Sequence, residues 1–334
     1  MFDLRVSVVR FLIFFFQSVF HQISRKICGP PKRREDDARG KVVVVTGANA
    51  GLGKCVAMEM AKRGAVVIMT CRDVNKGIQA QNEIQSSTGS DKITLVELNL
   101  ADISSVKRCA NQISSRHSKV DILINNAGIA LNSPSTQLTK EGNELHFATN
   151  HLGHFLLTKL LLDRIKNSEA GRIVNVSSSG FIMANFSIKD LRMSKLGLGL
   201  GTFAPYCNSK LANVLFTKEL SKRLADTRVK TFSVCPGLVN TNLANGYYAN
   251  ENLQHYLIKG SLGCIGLSGE DGADGILHCA LAKGIEDTSG EMYRFGRLMN
   301  FDQELTSVCG MPTDSVAEKL WQKSEKLLDL KQLH

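Results

Sequence analysis

A tyrosine and a lysine with the spacing needed for acid–base chemistry occur in the segment YCNSK (206–210). Residues four apart lie on one face of a helix, and the pattern over 205–224 predicts a helix. A free phenol titrates near pH ~10, which is too high for an efficient base. An ammonium group beside it favours the phenolate and lowers its pKa. The pair therefore predicts a proton-transfer site with Tyr206 as the acid/base and Lys210 as its electrostatic partner.

A glycine-rich turn follows the first predicted strand, KVVVVT (41–46), a continuous apolar run typical of a strand buried on both faces. The turn is TGANAGLG (46–53), with the spacing G-x-x-x-G-x-G instead of G-x-G-x-x-G. Glycines permit a tight turn and the close approach of a pyrophosphate, which then meets the N-terminus of the next helix. Alone, such a turn could equally be a plain strand-to-helix connection.

Arg72 follows the second predicted strand, residues 65–70 (AVVIMT). Sites that prefer NAD usually place an acidic residue here, about 20 residues beyond the glycines, to bind the ribose hydroxyls. A guanidinium suits a 2′-phosphate, because it makes bidentate, charge-assisted hydrogen bonds. Asp73 is adjacent and could contact a ribose, and Arg72 could be an ordinary surface residue. The position favours NADP(H) as the cofactor.

Strand-like and helix-like segments alternate from residue 41 onward. Strands are predicted over 41–46, 65–70, 93–98, 120–124, 172–176, 229–234 and 291–295. Helices are predicted over 51–63, 74–87, 104–116, 140–165, 205–224, 272–282 and 313–328. Such alternation predicts an α/β fold, a single Rossmann-type doubly wound parallel sheet of about seven strands with helices on both faces. Ligands of such sheets bind beyond the carboxyl ends of the strands.

The segments at these strand ends together resemble the short-chain dehydrogenase/reductase superfamily. They are TGANAGLG (46–53), NNAG (125–128), ATNHLGHF (148–155), VSSSG (176–180), YCNSK (206–210) and PGLVNT (236–241). Finer detail in CRD (71–73), NHLGHFLLT (150–158) and YCNSKLANVLFTKEL (206–220) is similar to the retinol dehydrogenase branch. Members of that branch are typically membrane-anchored enzymes of the endoplasmic reticulum, with a long insert that residues 181–204 match.

The resemblance implies a role for each catalytic residue. Tyr206 transfers the proton, and Ser178 binds the substrate oxygen and stabilises the charge that develops on it. Lys210 holds the nicotinamide ribose, and Asn150 holds a water that links Lys210 to solvent.

The resemblance also implies a set of cofactor-binding residues. They are Gly47, Asn49, Gly51, Leu52, Gly53, Arg72, Asn99, Leu100, Asn126, Ala127, Gly128, Tyr206, Lys210, Pro236, Gly237, Val239 and Thr241. The chain departs from the family at Asn99, where an aspartate usually binds adenine. An amide both donates and accepts hydrogen bonds, so we expect binding to be kept with a changed hydrogen-bond pattern.

Charge and composition limit the classes of partner that the protein is expected to bind. The formal net charge of +10 could favour nucleic acid, an acidic membrane face or a phosphorylated cofactor. Aromatic residues are only 6% and form no stacking pattern with Lys and Arg, so no nucleic-acid partner is predicted. The nine cysteines are scattered, which indicates a reducing compartment and neither a disulfide framework nor a zinc site. His146, His151 and His154 are interpreted as helix-face residues, and no metal is predicted.

The N-terminus carries an apolar run (11–16) between cationic flanks. We assign residues 1–26 to a membrane anchor or targeting segment, 27–40 to a linker and 41–334 to the catalytic domain. The run is short for a spanning helix, so an organelle address and a cleaved signal peptide are alternatives. The cationic flank after the run would place the catalytic domain on the cytoplasmic side. The endoplasmic reticulum is the expected location, with a mitochondrial membrane as the alternative.

The segments 181–204 and 238–263 are expected to form the lip of the substrate site, where LGLGLG (196–201) is apolar. An apolar lip beside a membrane anchor suits a lipophilic alcohol, aldehyde or ketone, such as a retinoid. A broad carbonyl or steroid reductase, or a catalytically weak cofactor-binding membrane scaffold, are the alternatives. A homo-oligomer is compatible with the sequence.

Overall fold

Eight strands form one sheet in the computed structural model, which describes residues 37–131, 136–184, 204–237, 239, 266–300 and 313–330 and the single residues 16, 19, 20, 23, 305, 306 and 309. The strands are β1 (Val42–Thr46), β2 (Val66–Cys71), β3 (Ile93–Glu97), β4 (Ile122–Asn125), β5 (Arg172–Val176), β6 (Lys230–Cys235), β7 (Met292–Arg294) and β8 (Arg297–Met299). Their order is β3-β2-β1-β4-β5-β6-β7-β8, and every neighbouring pair is parallel except β7 with β8. The predicted Rossmann-type sheet is confirmed, with one strand more than expected.

The additional strand, β8, is an antiparallel edge strand formed by a two-residue hairpin. Phe295 and Gly296 both have positive φ, 53° and 72°, and Arg294 pairs with Arg297 across the turn. Positive φ at both turn positions matches the twist of antiparallel strands. A phenylalanine at the first of these positions is unusual, which is why the sequence contains no clear hairpin signal there.

Helices cover both faces of the sheet. They are α1 (Gly51–Lys62), α2 (Val74–Thr88), α3 (Ile103–Arg116), α4 (Leu145–Phe147), α5 (Gly153–Lys166), α6 (Ala204–Arg223), α7 (Gly269–Leu281) and α8 (Thr313–Leu327). A π-helical turn, Ala148–Leu152, joins α4 to α5, and a 3-10 helix, Ser179–Met183, follows β5. The single helix predicted over 140–165 therefore begins later and is interrupted. Its start is set by Glu144, whose carboxylate accepts hydrogen bonds from the amides of His146 and Phe147.

The apolar core consists of two layers, one on each side of the sheet. Along β1, Val43 and Val45 pack in the layer with α1, α2 and α7, while Val42 and Val44 pack in the layer with α3, α5 and α6. Successive side chains of a strand point to opposite faces, so a strand between two helix layers must be apolar throughout. Burying one such valine contributes about 1.5–3 kcal/mol relative to leaving it exposed.

Helix α8 packs against α5 and α6. The ring of Trp321 lies 4.8 Å from that of Phe155 and 5.9 Å from that of Phe216, measured between centroids. The Nε2 atom of His151, in the π-helical turn, lies 3.0 Å from the Ser324 hydroxyl. Because that hydroxyl donates to the Leu320 carbonyl, His151 donates to Ser324. The C-terminal helix is thus fixed to the turn that carries Asn150.

The end of the predicted linker packs into the catalytic domain. Ala38 is fully buried, and its amide donates to the Arg63 carbonyl at 3.2 Å. Most of the predicted anchor (1–26) lies outside the described residues. In the described part of the chain, no helix is both long enough and apolar enough to cross a bilayer.

Candidate active site

The turn between β1 and α1 forms a cradle built from backbone atoms. Gly47 and Gly51 have positive φ, 66° and 53°, which allows the chain to reverse tightly. A Cβ atom on Gly53 would collide with the Gly47 carbonyl oxygen and the Asn126 side chain. Helix α1 begins after Ala50, which has no side-chain oxygen to cap the first amides. A bound diphosphate would fit this turn, because uncapped amides at a helix N-terminus bind anions.

The NNAG turn after β4 closes against this cradle through Thr46. The amides of Asn126 and Ala127 each donate to the Thr46 hydroxyl oxygen at 2.9 Å, and the Asn126 side-chain amide donates to the Thr46 carbonyl at 2.8 Å. A Cβ atom on Gly47 would lie 3.0 Å from Ala127. Four of the predicted cofactor residues, Gly47, Gly53, Asn126 and Ala127, therefore lie together.

Tyr206 and Lys210 lie on the first turns of α6, and both are buried. The Tyr206 and Ser178 side chains are hydrogen-bonded to each other. The Lys210 ammonium lies 5.7 Å from the centre of the Tyr206 ring. A Cβ atom on Gly128 would lie 3.4 Å from both Lys210 Nζ and Asn150 Oδ1. The structure thus brings all four predicted catalytic residues to the edge where β4 and β5 end.

Asn150 is held in the π-helical turn by its own side chain. Its Oδ1 accepts from the Ile129 amide at 2.8 Å, and its Nδ2 donates to the Ile129 carbonyl and to the Ser209 hydroxyl, both at 3.0 Å. Ser209 in turn donates to the Tyr206 carbonyl at 2.7 Å. Both amide hydrogens of Asn150 are therefore used within the protein. Its visible role is to join the NNAG segment to the start of α6, and the predicted water could use only a remaining lone pair of its Oδ1 or its main-chain carbonyl.

Burial sets the electrostatics of the pair. It raises the pKa of Tyr206 above its ordinary value, and the Ser178 hydrogen bond opposes this in part. Burial lowers the pKa of Lys210 to about 8. In the protein alone the loss of solvation dominates the pKa of Tyr206. The lowered phenol pKa expected from Lys210 together with the positive charge of a nicotinamide is a prediction for the cofactor-bound site.

Arg72 and Asp73 differ in their surroundings at the end of β2. Arg72 is exposed, and no ion pair to it is formed within the described part of the chain. Asp73 is the N-cap of α2, where its Oδ1 accepts from the Lys76 amide at 3.1 Å. A carboxylate occupied by a helix cap is less available to a ribose, so this arrangement favours Arg72 as the residue that meets the cofactor.

The residues after β3 and β6 are placed as follows. The Asn99 Oδ1 accepts from the Ala101 amide at 3.2 Å. Leu100 is buried, and both its backbone carbonyl and its side chain pack against Gly153. The side chains of Leu52 and Val239 both pack against Gly272. Gly237, at φ 87°, packs against the Phe295 ring. Asn49 is half-buried and Pro236 is buried. Thr241 and most of both lip segments (181–204 and 238–263) lie outside the described residues.

Thr46, Ser209 and His154 contribute to the site and were not singled out from the sequence for these roles. Thr46 and Ser209 stand inside the TGANAGLG and YCNSK motifs, yet neither side chain was given a function. His154 was interpreted only as a helix-face residue. Its spacing of four from Asn150, which puts both on one helix face, was a signal that could have found it.

Comparison with known proteins agrees with this arrangement. Residues 41–252 match the family model described as short chain dehydrogenase. Retinol dehydrogenase 12 of Bos taurus is 42% identical over 293 residues, which cover 87% of each chain. Retinol dehydrogenase 11 of Mus musculus is 40% identical with the same coverage. Retinol dehydrogenase 12 of Homo sapiens is 39% identical over 319 residues, 95% of each chain.

A solved structure supports the same assignment. The crystal structure of an uncharacterized protein from Mycobacterium paratuberculosis superposes with a TM-score of 0.68 and 32% identity, over 88% of this chain and 95% of that one. Motif order, sheet topology and these similarities agree. The chain belongs to the short-chain dehydrogenase family and is similar to its retinol dehydrogenases.

Proposed function

We propose that this oxidoreductase uses NADP(H) to interconvert a lipophilic alcohol and its aldehyde or ketone, with Ser178, Tyr206 and Lys210 as the catalytic residues. The observation that supports this most directly is the hydrogen-bonded pair Ser178–Tyr206 with the Lys210 ammonium beside it. A nicotinamide cofactor supplies or accepts the hydride when it is bound. The protein must then handle one proton and hold the substrate oxygen.

Each residue has a separate task in this proposal. The Tyr206 hydroxyl gives its proton to the substrate oxygen in reduction and takes it back in oxidation. The Ser178 hydroxyl donates to the same oxygen and stabilises the negative charge that develops there. Lys210 holds the nicotinamide ribose and adds positive charge beside the phenol. Asn150 fixes the distance between α6 and the NNAG segment.

The preference for NADP(H) rests on Arg72. The guanidinium is exposed just after the carboxyl end of β2, the end that lies beside the β1–α1 turn, and Asp73 caps α2. A 2′-phosphate next to Arg72 would gain a charge-assisted contact that a ribose hydroxyl cannot make.

The lipophilic substrate and the membrane are inferred from two sources. The relatives named above are retinol dehydrogenases, and the N-terminal segment is apolar with cationic flanks. We therefore propose a retinoid-like substrate and a membrane-anchored protein of the endoplasmic reticulum with its catalytic domain in the cytosol.

The test is turnover by the purified full-length protein in detergent. NADPH and NADH are each paired with all-trans-retinal, a steroid ketone and a small aliphatic ketone. Reduction of retinal with NADPH, at a kcat/KM well above that for the other two, is the expected result. Higher activity with the steroid or the small ketone would instead identify a broader carbonyl or steroid reductase. Cofactor binding without turnover of any substrate would indicate a scaffold.

A further inference from the structure

We propose that His154 is a positioning residue of the cofactor site, which fixes the NNAG turn and the Asn150 turn through one buried imidazole. This inference rests on the proposed nicotinamide site. It assigns a function to a side chain that is not among the residues proposed to bind the cofactor or the substrate.

The His154 imidazole lies between the Asn150 carbonyl and the Thr46 hydroxyl. His154 is 1% exposed, on the first turn of α5. Its Nδ1 lies 3.0 Å from the Asn150 carbonyl oxygen, and its Nε2 lies 2.9 Å from the Thr46 hydroxyl. A carbonyl can only accept, so Nδ1 carries the hydrogen. Nε2 of the neutral ring then accepts the hydrogen of Thr46.

The acceptor at Nε2 determines what the Thr46 hydroxyl can do. Its oxygen receives the amides of Asn126 and Ala127, and it can hold both only if its own hydrogen points elsewhere. His154 takes that hydrogen. The other available acceptor is the Ile124 carbonyl at 3.4 Å, a poor hydrogen bond by its length. His154 therefore orients the hydroxyl that closes the NNAG turn against the cradle.

The donor at Nδ1 acts at the second place. In the π-helical turn the regular i→i+4 ladder is interrupted, and the Asn150 carbonyl there receives the imidazole hydrogen. The Asn150 side chain clamps Ile129 and Ser209, as described above. The His154 ring thus connects Thr46, which holds the NNAG turn, to Asn150, which is bonded to the helix that carries Lys210.

The charge state suits this function. Burial, together with the nearby positive charge of Lys210, lowers the pKa of His154 to about 4, although the hydrogen bond to Asn150 opposes the shift. The ring stays neutral across the working pH, so the direction of both hydrogen bonds is constant.

The test compares three variants of the full-length protein. His154→Phe keeps the ring shape and removes both hydrogen bonds. His154→Gln keeps one donor and one acceptor. Ser168→Ala is the matched control, because it removes another buried hydrogen bond, from Ser168 to Asp121 at 2.6 Å, at the opposite end of β4 from the NNAG turn. NADPH Kd is measured by fluorescence titration, kcat with the best substrate, and Tm for stability.

We expect His154→Phe to raise the NADPH Kd about tenfold and to lower kcat, because it removes the hydrogen bonds to Thr46 and to the Asn150 carbonyl. His154→Gln should recover most of both losses. Ser168→Ala should lower Tm by a similar amount but leave the Kd within about twofold. Combining His154→Phe with Thr46→Val should add much less than the sum of the single effects, because both act through the same hydroxyl.

A spectroscopic readout keeps the proposal testable if a variant fails to fold. In histidine-labelled wild-type protein, the ¹⁵N shifts of His154 should report a neutral ring with the hydrogen on Nδ1 at pH 6. An imidazolium, or a hydrogen on Nε2, would overturn the proposal. So would a His154→Phe variant with the Kd of Ser168→Ala. If the wild type binds neither NADPH nor NADH, the proposed function itself fails, and the imidazole result stands apart from it.

Discussion

Lys210 Nζ donates a 3.1 Å hydrogen bond to the main-chain carbonyl of Val176, the last residue of β5. Asn213, one turn further along α6, donates to the same oxygen at 3.2 Å. The carbonyl end of a buried strand thus fixes the ammonium, and no carboxylate among the described residues pairs with it. Burial lowers the pKa of Lys210, and the neighbouring Cys235 opposes this shift only in part.

Tyr206→Phe should lower kcat by at least about 100-fold, because it removes the hydroxyl proposed to transfer the proton. Cofactor affinity should stay close to the wild-type value, since the ring remains. Steady-state kinetics and NADPH titration measure the two effects. Tyr293→Phe is the control: it also loses a buried hydroxyl, which bonds to Thr288 at 2.8 Å far along the sheet, and should keep full kcat. A Tyr206→Phe variant with more than a few per cent of wild-type kcat would contradict the assignment.

Lys210 should make the folded protein gain stability as the pH rises above about 8. The unfolded chain holds the lysine proton up to about pH 10.5, whereas the folded protein releases it near pH 8. Between these values the unfolded state binds more protons at Lys210, so the contribution of this residue to the free energy of unfolding increases with pH. The buried cysteines, whose pKa values are raised, act in the opposite direction in both proteins. Denaturant unfolding at pH 7.5 and 9.5 should therefore show a more positive change in the wild type than in Lys210→Met. Equal slopes for both proteins would mean that Lys210 is better solvated than its surroundings indicate.

Arg72→Ala should raise the KM for NADPH by about 10- to 100-fold and change the KM for NADH little. A charge-assisted contact to the 2′-phosphate contributes about 1.5–3 kcal/mol, reduced by screening because the site is open to solvent. Arg297→Ala, at an exposed arginine of β8, is the charge-matched control and should leave both constants unchanged. Equal losses with both cofactors, or a wild-type preference for NADH, would assign Arg72 to the ordinary surface.

Removing residues 1–36 should release the protein from membranes and leave a folded catalytic domain. Removing residues 1–40 should in addition lower Tm, because Ala38 is buried and bonded to Arg63. Membrane fractionation and thermal unfolding of the two deletions distinguish these effects. Recovery of the full-length protein in the soluble cytosolic fraction would count decisively against an anchor.

The fold was predictable because its strands are buried on both faces. The run VVVV (42–45) contains no polar residue, and the structure begins β1 within one residue of the prediction. The hairpin to β8 was missed because a phenylalanine such as Phe295 gives no sequence signal for a positive φ. The break in the helix over 140–165 was missed because the π-helical turn depends on clamps from Ile129 and Ser209, which are distant in sequence.

The site was predictable where its residues share one helix or one turn. The spacing of Tyr206 and Lys210 and the glycines after β1 can be read directly from the sequence. The link between Thr46 and His154 joins residues 108 positions apart, and no local pattern contains it. The burial of Tyr206, which raises its pKa, could not be read from the sequence for a related reason: burial on all sides is a property of the assembled layers.

The hydrogen bond between His151 and Ser324 joins residues 173 positions apart, so it forms late when the chain folds during synthesis. Chains fold from the N-terminus as they are made, so the glycine turn, the NNAG turn and α6 are all available before α8. The His151 imidazole therefore lacks this partner until α8 has been synthesised, well after α6. A nascent chain can have every proposed catalytic residue and still lack the support of α8 behind the turn that carries Asn150.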